Sequence, residues 1–458
     1  MRTIGVSDDF KIWCRRSSTV MRSSSALCPL LVLALPVTAL KLDLKRAATG
    51  GINNNLINKE NIRYTTNITI GGRVVNVVLD TGSTDLWVMP PDGLPVFKDT
   101  GINTKIVYGN GYDYVAGDIG TGEFQLNNYI IPNQAFLKVN DASAAEQGDF
   151  QLGIYGVWGL GFNTPGSSRI NDAVTQAYGS SATWGQSALA NIFAQDPTKA
   201  DYIAISLSRN GDSAGSADAS LAIAEYDTHY TQVANAPRLS QSPPGSGSWT
   251  VTLDSISVGG KKLNWPTTLQ NVPRGKNIVA VDTGTTNAML PAAQITAIYG
   301  SIPNAVFAAN TQLRIPQTQY SSTTGVWVVP CTASISVSLT FGGQTFPIHP
   351  LDMTDIQIVA SPDGKSQYTV CIGSFTDVGT IVSGFSDGLV GDSFLRNAYT
   401  VFDFATGGNV PPGTTPFVQM LSVTDATKAQ ADYLSVRRAL LSSYPPELSP
   451  AQFVQIFG

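Results

Sequence analysis

The chain contains 458 residues, of which 43% are hydrophobic and only 13% are charged, and it has 43 glycines and 26 prolines. A chain of this length has room for two hydrophobic cores, and its composition is typical of a folded, turn-rich protein and excludes a disordered one. Its formal net charge of −5, without a basic patch, argues against a nucleic-acid partner. The two histidines, His229 and His349, have no other candidate metal ligand near them in the sequence, which disfavours a histidine-based metal centre or a Ser-His-Asp triad.

The N-terminal residues have the pattern of an export signal. A basic start at Met21 is followed by the apolar run Leu27–Leu35 and by the small-residue exit Val37-Thr38-Ala39. Such a segment is typical of a secretory signal and is too short to span a membrane comfortably. We therefore expect residues 1–39 to be a signal peptide with an upstream extension, and translation to start at Met21. We expect a secreted protein, with the vacuole as an alternative destination, and no integral membrane segment.

The next stretch changes from a polar arm to a strand-rich region. Residues 40–62 are polar and aperiodic, so we predict a short pro-segment or arm, in which Lys45-Arg46 fits a dibasic processing site and equally two solvated cations. Residues 63–232 contain short alternating and β-branched runs separated by turn residues, which predict an N-terminal β lobe. The sequon Asn67-Ile68-Thr69 lies inside the first of these strands, and its glycosylation stays open.

One motif occurs twice, about two hundred residues apart. "VVLDTGSTDLWVMP", residues 77–90, is an apolar run that ends on Asp80 and continues into Thr, Gly and Ser. Alone it predicts only the end of a strand, since Asp and Gly are ordinary turn formers. "VAVDTGTTNAMLP", residues 279–291, repeats the pattern with Asp282, inside a second strand-rich region, residues 233–420, that predicts a C-terminal β lobe. Two matched copies favour a site made of paired carboxylates over two unrelated turns.

The tail, residues 421–458, differs from the rest of the chain. From Thr424 to Tyr444 the apolar residues recur at alternating spacings of three and four, and Pro445-Pro446 follows. This pattern predicts an amphipathic helix. We expect it to pack on the C-terminal lobe rather than to bind a partner or a membrane surface, because its polar face has few cations.

Cysteine usage agrees with export. Cys14 and Cys28 fall within the predicted signal segment, so Cys331 and Cys371 remain in the mature chain. Two cysteines in an oxidising compartment most simply form one disulfide, and two buried free thiols are the alternative.

These motifs together resemble the pepsin family of aspartic endopeptidases. Besides the two Asp-Thr-Gly copies, "GLVGDSFLRNAYTVFDF" (388–404), "YGVWGLGF" (155–162), "VYGNG" (107–111) and "WTVTLDSISVGG" (249–260) are similar to segments of that family. The resemblance covers roughly residues 64–419 and is specific as a set. It implies a mostly-β, bilobal, pepsin-like acid protease fold, in which two β lobes related by a pseudo-twofold axis enclose an active-site cleft.

The resemblance also assigns roles to individual residues. Asp80 and Asp282 would be the catalytic pair. Six residues would support them by hydrogen bonds and turn geometry, with glycine permitting the backbone turn: Thr81, Gly82, Ser83, Thr283, Gly284 and Thr285. Tyr108, followed by the turn glycines Gly109 and Gly111, would form the flap that closes over the substrate. Trp87 would contact Tyr108 from the side of the cleft floor.

The chemistry implied by the resemblance is hydrolysis of polypeptides by a water held between two acids that share one proton. It requires no metal and no organic cofactor. The substrate would lie extended across the cleft, with apolar residues preferred around the scissile bond, and we expect a monomer.

Some features depart from the family pattern. The arm is shorter and less basic than usual, the first lobe has no cysteine pair, residues 220–231 lack the usual glycines, and Thr84-Asp85 stands where Ser-Asn is commoner. A pepsin-like protein that binds or inhibits without cutting is therefore the alternative, although such proteins usually lose one carboxylate or the flap. A structural surface protein would explain the composition but not the paired motifs.

Overall fold

A computed structural model describes residues 51–53, 56–109, 111, 113–210, 219–309, 325–379, 384 and 386–457, the first three by their backbone alone. The predicted signal peptide, the proposed start at Met21 and the candidate processing site at Lys45-Arg46 lie outside these residues.

The described part of the chain is built mainly from short strands. Those up to residue 240 are β1 (Gly51–Asn53), β2 (Ile57–Lys59), β3 (Arg63–Ile70), β4 (Arg73–Asp80), β5 (Leu86–Val88), β6 (Lys98–Tyr108), β7 (Asp113–Leu126), β8 (Tyr129–Ala142), β9 (Gly156–Gly159), β10 (Ala200–Ser206), β11 (Ser220–Ile223) and β12 (Leu239–Ser240). Those that follow are β13 (Thr250–Leu253), β14 (Ser255–Val258), β15 (Lys261–Lys262), β16 (Asn277–Val281), β17 (Ala288–Leu290), β18 (Val306–Ala308), β19 (Val326–Val329), β20 (Val337–Phe341), β21 (Gln344–Pro347), β22 (Thr354–Ala360), β23 (Gln367–Gly373), β24 (Phe375–Asp377), β25 (Gly388–Val390), β26 (Ala398–Gly407) and β27 (Phe417–Ser422).

Short helices connect the strands. The α-helices are α1 (Ala144–Gly148), α2 (Arg169–Tyr178), α3 (Ala188–Phe193), α4 (Ala292–Tyr299), α5 (Asp392–Leu395), α6 (Ala426–Leu441) and α7 (Pro450–Phe457), and 3-10 turns span Asp149–Leu152, Thr228–Asn235 and Pro350–Asp352.

The two copies of the motif lie in matching strand arrangements. In the eight-stranded sheet β2-β3-β4-β9-β5-β8-β7-β6, β4 runs parallel to β9, and β5 is antiparallel to β9. In the five-stranded sheet β13-β16-β25-β17-β24, β16 runs parallel to β25, and β17 is antiparallel to β25. Each motif therefore begins at the end of one strand, β4 or β16, and continues into another strand, β5 or β17. The two strands lie on opposite sides of the same neighbour, β9 or β25.

A third sheet combines strands from both halves of the sequence. Its order is β1-β11-β10-β26-β27-β12, so β10 from the first half pairs directly with β26 from the second. One hydrophobic cluster likewise includes residues of both halves, such as Trp158 and Phe402, both fully buried. Shared backbone pairing and a shared core hold together the parts of the chain that carry Asp80 and Asp282.

The tail forms the predicted helix, α6, and a second helix, α7. Asp425 caps α6 by accepting backbone N–H bonds from Thr427 and Lys428 at 2.9 and 3.1 Å. The buried Tyr433 donates its hydroxyl to the carbonyl of Cys331 at 3.0 Å, and Arg437 donates to Thr354 Oγ1 at 2.8 Å. The helix therefore packs against the second half of the chain. Among the described residues, none of the helices combines the length and the apolar character needed to cross a bilayer.

The predicted disulfide is confirmed. Cys331 and Cys371 are bonded, with Cα atoms 5.1 Å apart and a sequence separation of 40. Cys371 lies in β23, whose neighbour β19 ends two residues before Cys331, so the bond joins adjacent strands of one sheet.

Candidate active site

Asp80 and Asp282 each stand where a buried strand changes into a turn. Asp80 is the last residue of β4, and Asp282 directly follows β16. The backbone of each is held by the parallel neighbour: Leu160 N–H donates to the carbonyl of Asp80 at 2.7 Å, and Asp282 N–H donates to the carbonyl of Val390 at 3.1 Å. Because both turns follow the same kind of strand pair, they present their side chains in equivalent ways.

The two threonines that follow the acids bind the two turns to each other. Thr81 N–H donates to Thr283 Oγ1 at 3.1 Å, and Thr283 N–H donates to Thr81 Oγ1 at 3.0 Å. The Thr81 hydroxyl donates to the carbonyl of Val281 at 3.3 Å, and that of Thr283 donates to the carbonyl of Leu79 at 2.8 Å. Both threonines are buried, so these four bonds are shielded from water. The acids cannot move apart unless this network breaks.

Each carboxylate receives the same two donors from its own turn. Gly82 N–H donates to Asp80 Oδ1 at 2.8 Å, and the Ser83 hydroxyl donates to Asp80 Oδ2. In the second copy Gly284 N–H donates to Asp282 Oδ1 at 2.8 Å, and the Thr285 hydroxyl donates to Asp282 Oδ2 at 2.7 Å. Both side chains are thereby held in matching orientations.

The glycines of the motif are required for a reason that differs from the sequence expectation. Neither has a positive φ, so the turn itself does not demand glycine. A Cβ on Gly82 would lie 2.6 Å from Asp282 Oδ1, and a Cβ on Gly284 would lie 2.2 Å from Asp80 Oδ1. Each glycine therefore leaves room for the carboxylate of the opposite turn, and the two acids lie in close proximity.

Burial and the nearby carboxylate of Asp282 raise the pKa of Asp80. Burial is the largest cause that raises the pKa of Asp80, the neighbouring Asp282 carboxylate raises it further, and the Ser83 hydroxyl lowers it. Two like charges at ~4 Å and an effective dielectric constant of ~20 repel by about 4 kcal/mol, equivalent to about three pKa units. Asp80 therefore keeps its proton to a higher pH than an isolated aspartate does.

Tyr108 and Trp87 lie beside this pair in the first half of the chain. Trp87, in β5, is buried and donates its Nε1–H to the Tyr108 hydroxyl at 2.6 Å. Tyr108 ends β6, and Gly109 and Gly111 follow with φ of 39° and 83°, a region in which glycine is favoured. The structure thus brings the predicted flap residues to the edge of the site.

A cleft of about 210 Å³ is lined by both acids. Its walls come from both halves of the sequence: Val78 and Val157 on one side, and Leu389 on the other, are among the apolar lining residues. Asp80, Asp282 and Tyr108 all line it, so a chain entering the cleft would meet the paired acids.

Sequence reasoning missed three charged residues of the cleft, Arg63, Glu146 and Asp149. Arg63 is 3% exposed; its Nε donates to Asp149 Oδ2 at 3.1 Å, and its Nη1 donates to Thr286 Oγ1 at 2.9 Å. The side chain therefore connects the wall near the flap with the turn after Asp282. None of the three belongs to a motif, and only the fold brings them together.

Comparison with known proteins gives consistent matches. Residues 95–408 match the family model described as eukaryotic aspartyl protease, a span that begins after Asp80 and includes Tyr108 and Asp282. The aspartic-type endopeptidase ctsD of Aspergillus fumigatus is 26% identical over 378 residues, 77% of this chain and 66% of that protein. The aspartic protease of Phaffia rhodozyma is 27% identical over 350 residues, 74% of this chain and 73% of that protein.

Two further matches cover nearly the whole of the similar protein. Penicillopepsin-1 of Penicillium janthinellum is 26% identical over 378 residues, 78% of this chain and 96% of that protein. The crystal structure of an aspartic proteinase from Irpex lacteus superposes with a TM-score of 0.57 at 18% identity and covers 83% of this chain and 99% of that one. The mostly-β fold that the sequence predicts is thereby confirmed.

Proposed function

The chain belongs to the pepsin family of aspartic proteases, described as eukaryotic aspartyl proteases, and from this premise we propose that it is a secreted endopeptidase that hydrolyses peptide bonds at acidic pH with Asp80 and Asp282. The observation that carries the proposal is the approach of the two carboxylates across the threonine network, at the base of an open cleft. Each acid receives an equivalent pair of hydrogen bonds from its own turn, so both halves of the site retain the groups that hold a carboxylate in place.

The shared proton of the pair defines the chemistry. The ionised carboxylate accepts a proton from a water molecule that both acids hold, while the protonated one donates a hydrogen bond to the scissile carbonyl oxygen. The water oxygen then adds to the carbonyl carbon and gives a tetrahedral intermediate, which is stabilised by the same carboxyl hydrogen bond. The carboxyl group that took the proton from water donates it to the nitrogen of the leaving group as the C–N bond breaks, which returns the pair to its starting state with one proton. No covalent link to the enzyme forms.

The walls of the cleft suit an extended polypeptide. Val78, Val157, Trp249 and Leu389 supply apolar surface close to the acids, which supports a preference for apolar residues around the scissile bond. Closure of the β6–β7 hairpin would place Tyr108 over the substrate and exclude water other than the reacting one.

Secretion is supported by the predicted signal in residues 1–39 and by the disulfide Cys331–Cys371, a bond typical of oxidising compartments.

Expression of the full chain in a eukaryotic host tests these proposals together. Protein recovered from the medium is expected to hydrolyse denatured haemoglobin or casein between about pH 3 and pH 5, and a peptide containing statine, which mimics the tetrahedral intermediate, should abolish this activity. A folded, secreted protein without activity under these conditions would instead support the non-cutting, pepsin-like binding protein.

A further inference from the structure

A third acid of the cleft, Glu146, is buried, and one oxygen of its carboxylate lacks a hydrogen bond within the described part of the chain. It lies in α1, is 2% exposed, and lines the same cleft as Asp80, Asp282 and Tyr108. Its Oε1 has no hydrogen-bond partner among the described residues. A buried acceptor without a donor is rare in folded proteins and calls for an explanation.

Two other buried acids differ from Glu146. The carboxylate oxygens of Asp392 also lack hydrogen-bond partners among the described residues, but Asp392 is not among the residues that line the cleft. Asp85 shows how this fold treats a structural acid: the Ser168 hydroxyl and the Arg169 N–H donate to its two oxygens at 2.5 and 2.8 Å, at the start of α2. Glu146 caps no helix and closes no turn in this way. Because Glu146 lines the cleft, a group bound there is placed to supply the missing donor.

The charged and titratable groups around Glu146 come from four elements. They are Arg63 in β3, Asp149 in the 3-10 turn after α1, Asp113 in β7 and Tyr108 at the end of β6. Arg63 is the cation among them, and its nearest partners are Asp149 and Thr286. The field at Glu146 is therefore set by one engaged cation and by further acids.

The charges of the residues that line the cleft favour a cationic ligand. The lining contains four carboxylic acids, Asp80, Glu146, Asp149 and Asp282, against the single cation Arg63. With Arg63 hydrogen-bonded to Asp149, an ionised Glu146 shares this single cation of the lining with another acid. A basic side chain of a bound peptide would supply both a second positive charge and the missing donor.

We propose that Glu146 is a specificity-determining residue that accepts a hydrogen bond from a lysine or arginine side chain of the substrate at one subsite beside Tyr108. The inference rests on the proposed peptidase function and adds to the apolar preference one position that selects a cation.

The pairing should depend on pH in a calculable direction. Burial raises the pKa of Glu146 to about 7, Arg63 lowers it, and Asp149 and Asp113 raise it. Below this pKa the acid is neutral in the free enzyme and must lose its proton to pair with a cation. Preference for a cationic side chain over a neutral one should therefore increase with pH, by up to about tenfold per pH unit, until Glu146 is ionised.

The ratio of kcat/KM for two substrates separates this effect from the pH dependence of the catalytic step. One cleaved peptide is prepared with lysine or with its neutral analogue norleucine at each of the four positions on either side of the scissile bond. The ratio of kcat/KM for each lysine and norleucine pair is measured at about pH 4.5 and about pH 6.5, a range that lies below the pKa of Glu146. Because both peptides use the same catalytic acids, the protonation state of those acids cancels in the ratio.

The expected result is a ratio that rises about tenfold or more between the two pH values at one position only. Glu146→Gln should make that ratio independent of pH while it still cleaves the norleucine peptide. Glu123→Gln, a change of the same chemistry at an exposed residue of β7, should keep the wild-type slope.

Each other outcome overturns the inference in a recognisable way. A flat wild-type ratio at every position, with normal cleavage, refutes the role of Glu146 and leaves the peptidase function intact. A slope that persists in Glu146→Gln assigns the effect to another acid such as Asp149. If no peptide is cleaved at any pH, the peptidase function itself fails and the inference with it. Should Glu146→Gln not fold, the wild-type slope and the variant Glu146→Ala decide in its place.

Discussion

At the scale of single residues, the space beside Gly82 and Gly284 decides whether the two acids can meet. A hydrogen in place of a side chain is needed because the carboxylate of the opposite turn occupies the position that a Cβ would take. The same two residues donate backbone N–H bonds to their own acids at 2.8 Å. Each glycine therefore positions one carboxylate while leaving room for the other, and the conformational freedom of glycine is not involved.

Gly82→Ala tests this explanation. The new Cβ would lie 2.6 Å from Asp282 Oδ1, so the two turns must separate. We expect turnover to fall about a hundredfold or more, since small displacements of catalytic groups are costly, and the free energy of unfolding to fall by about 1–3 kcal/mol. Gly148→Ala, with nothing within 4 Å of the new Cβ and φ of −58°, is the matched control and should retain both. Normal turnover in Gly82→Ala would contradict the close approach.

At the scale of elements, the end of β6 lies beside the two acids and is hydrogen-bonded to β5. The hydrogen bond from Trp87 to Tyr108 connects β5 with β6. β6 and β7 are long strands joined by many backbone pairs. These pairs hold the two strands together along their length, and the bond to Trp87 holds Tyr108 at the end of β6.

Tyr108→Phe removes the acceptor for Trp87 and leaves the ring in place. The buried indole N–H of Trp87 then lacks a partner, and the hairpin is no longer fixed at its closing end. We expect kcat/KM to fall by about five- to tenfold, equivalent to about 1–1.4 kcal/mol, with little change in Tm. Tyr114→Phe, on the same hairpin, loses only an exposed bond to Asp141 and serves as the control. Equal activity of the two variants would show that the bond to Trp87 has no catalytic role.

At the scale of the whole molecule, the buried acids determine how stability varies with pH. Burial raises the pKa of Asp85 to about 6 and that of Glu146 to about 7, and it also raises the pKa of Asp392. A raised pKa means that the folded state favours the protonated acid, so this contribution is present at low pH and is lost as pH rises through the folded pKa. Asp352 behaves oppositely: its pKa is lowered by Arg209 and Arg396 against the effect of burial, and its contribution is lost in strong acid.

We therefore expect the free energy of unfolding to be greatest in acid and to decrease between about pH 4 and pH 7. A shift of about two units at Asp85 corresponds to about 3 kcal/mol, or a fall in Tm of several degrees. Asp85→Asn, which restores the residue commoner in the family, should make this decrease smaller. Chemical denaturation at several pH values measures it, and stability that rises over the same range would contradict the assignment.

The site residues that could be predicted from the sequence are those that belong to local motifs. Asp80, Asp282 and the threonines and glycines beside them could be identified because each copy of the motif repeats the same residues in the same order. The spacing of apolar residues predicted α6, and the cysteine count predicted the disulfide.

The parts that the sequence did not reveal depend on contacts between distant residues. Arg63, Glu146 and Asp149 meet in the cleft because β3, α1 and the following 3-10 turn are brought together by the sheet, and none has a distinctive local pattern. The reason for the glycines also required coordinates, since the obstructing carboxylate is about two hundred residues away in sequence. Short helices such as α2 and α4 give too few residues for their periodicity to stand out.

The central claim is that Asp80 and Asp282 act as one catalytic unit, and turnover of the two single variants tests it most directly. Asp80→Asn and Asp282→Asn are measured with a peptide substrate at acidic pH, alongside the melting temperature of each. Both are expected to lose several orders of magnitude in kcat, by similar factors, with little change in Tm, because either amide ends the sharing of one proton. Near-normal turnover in either folded variant would contradict the account.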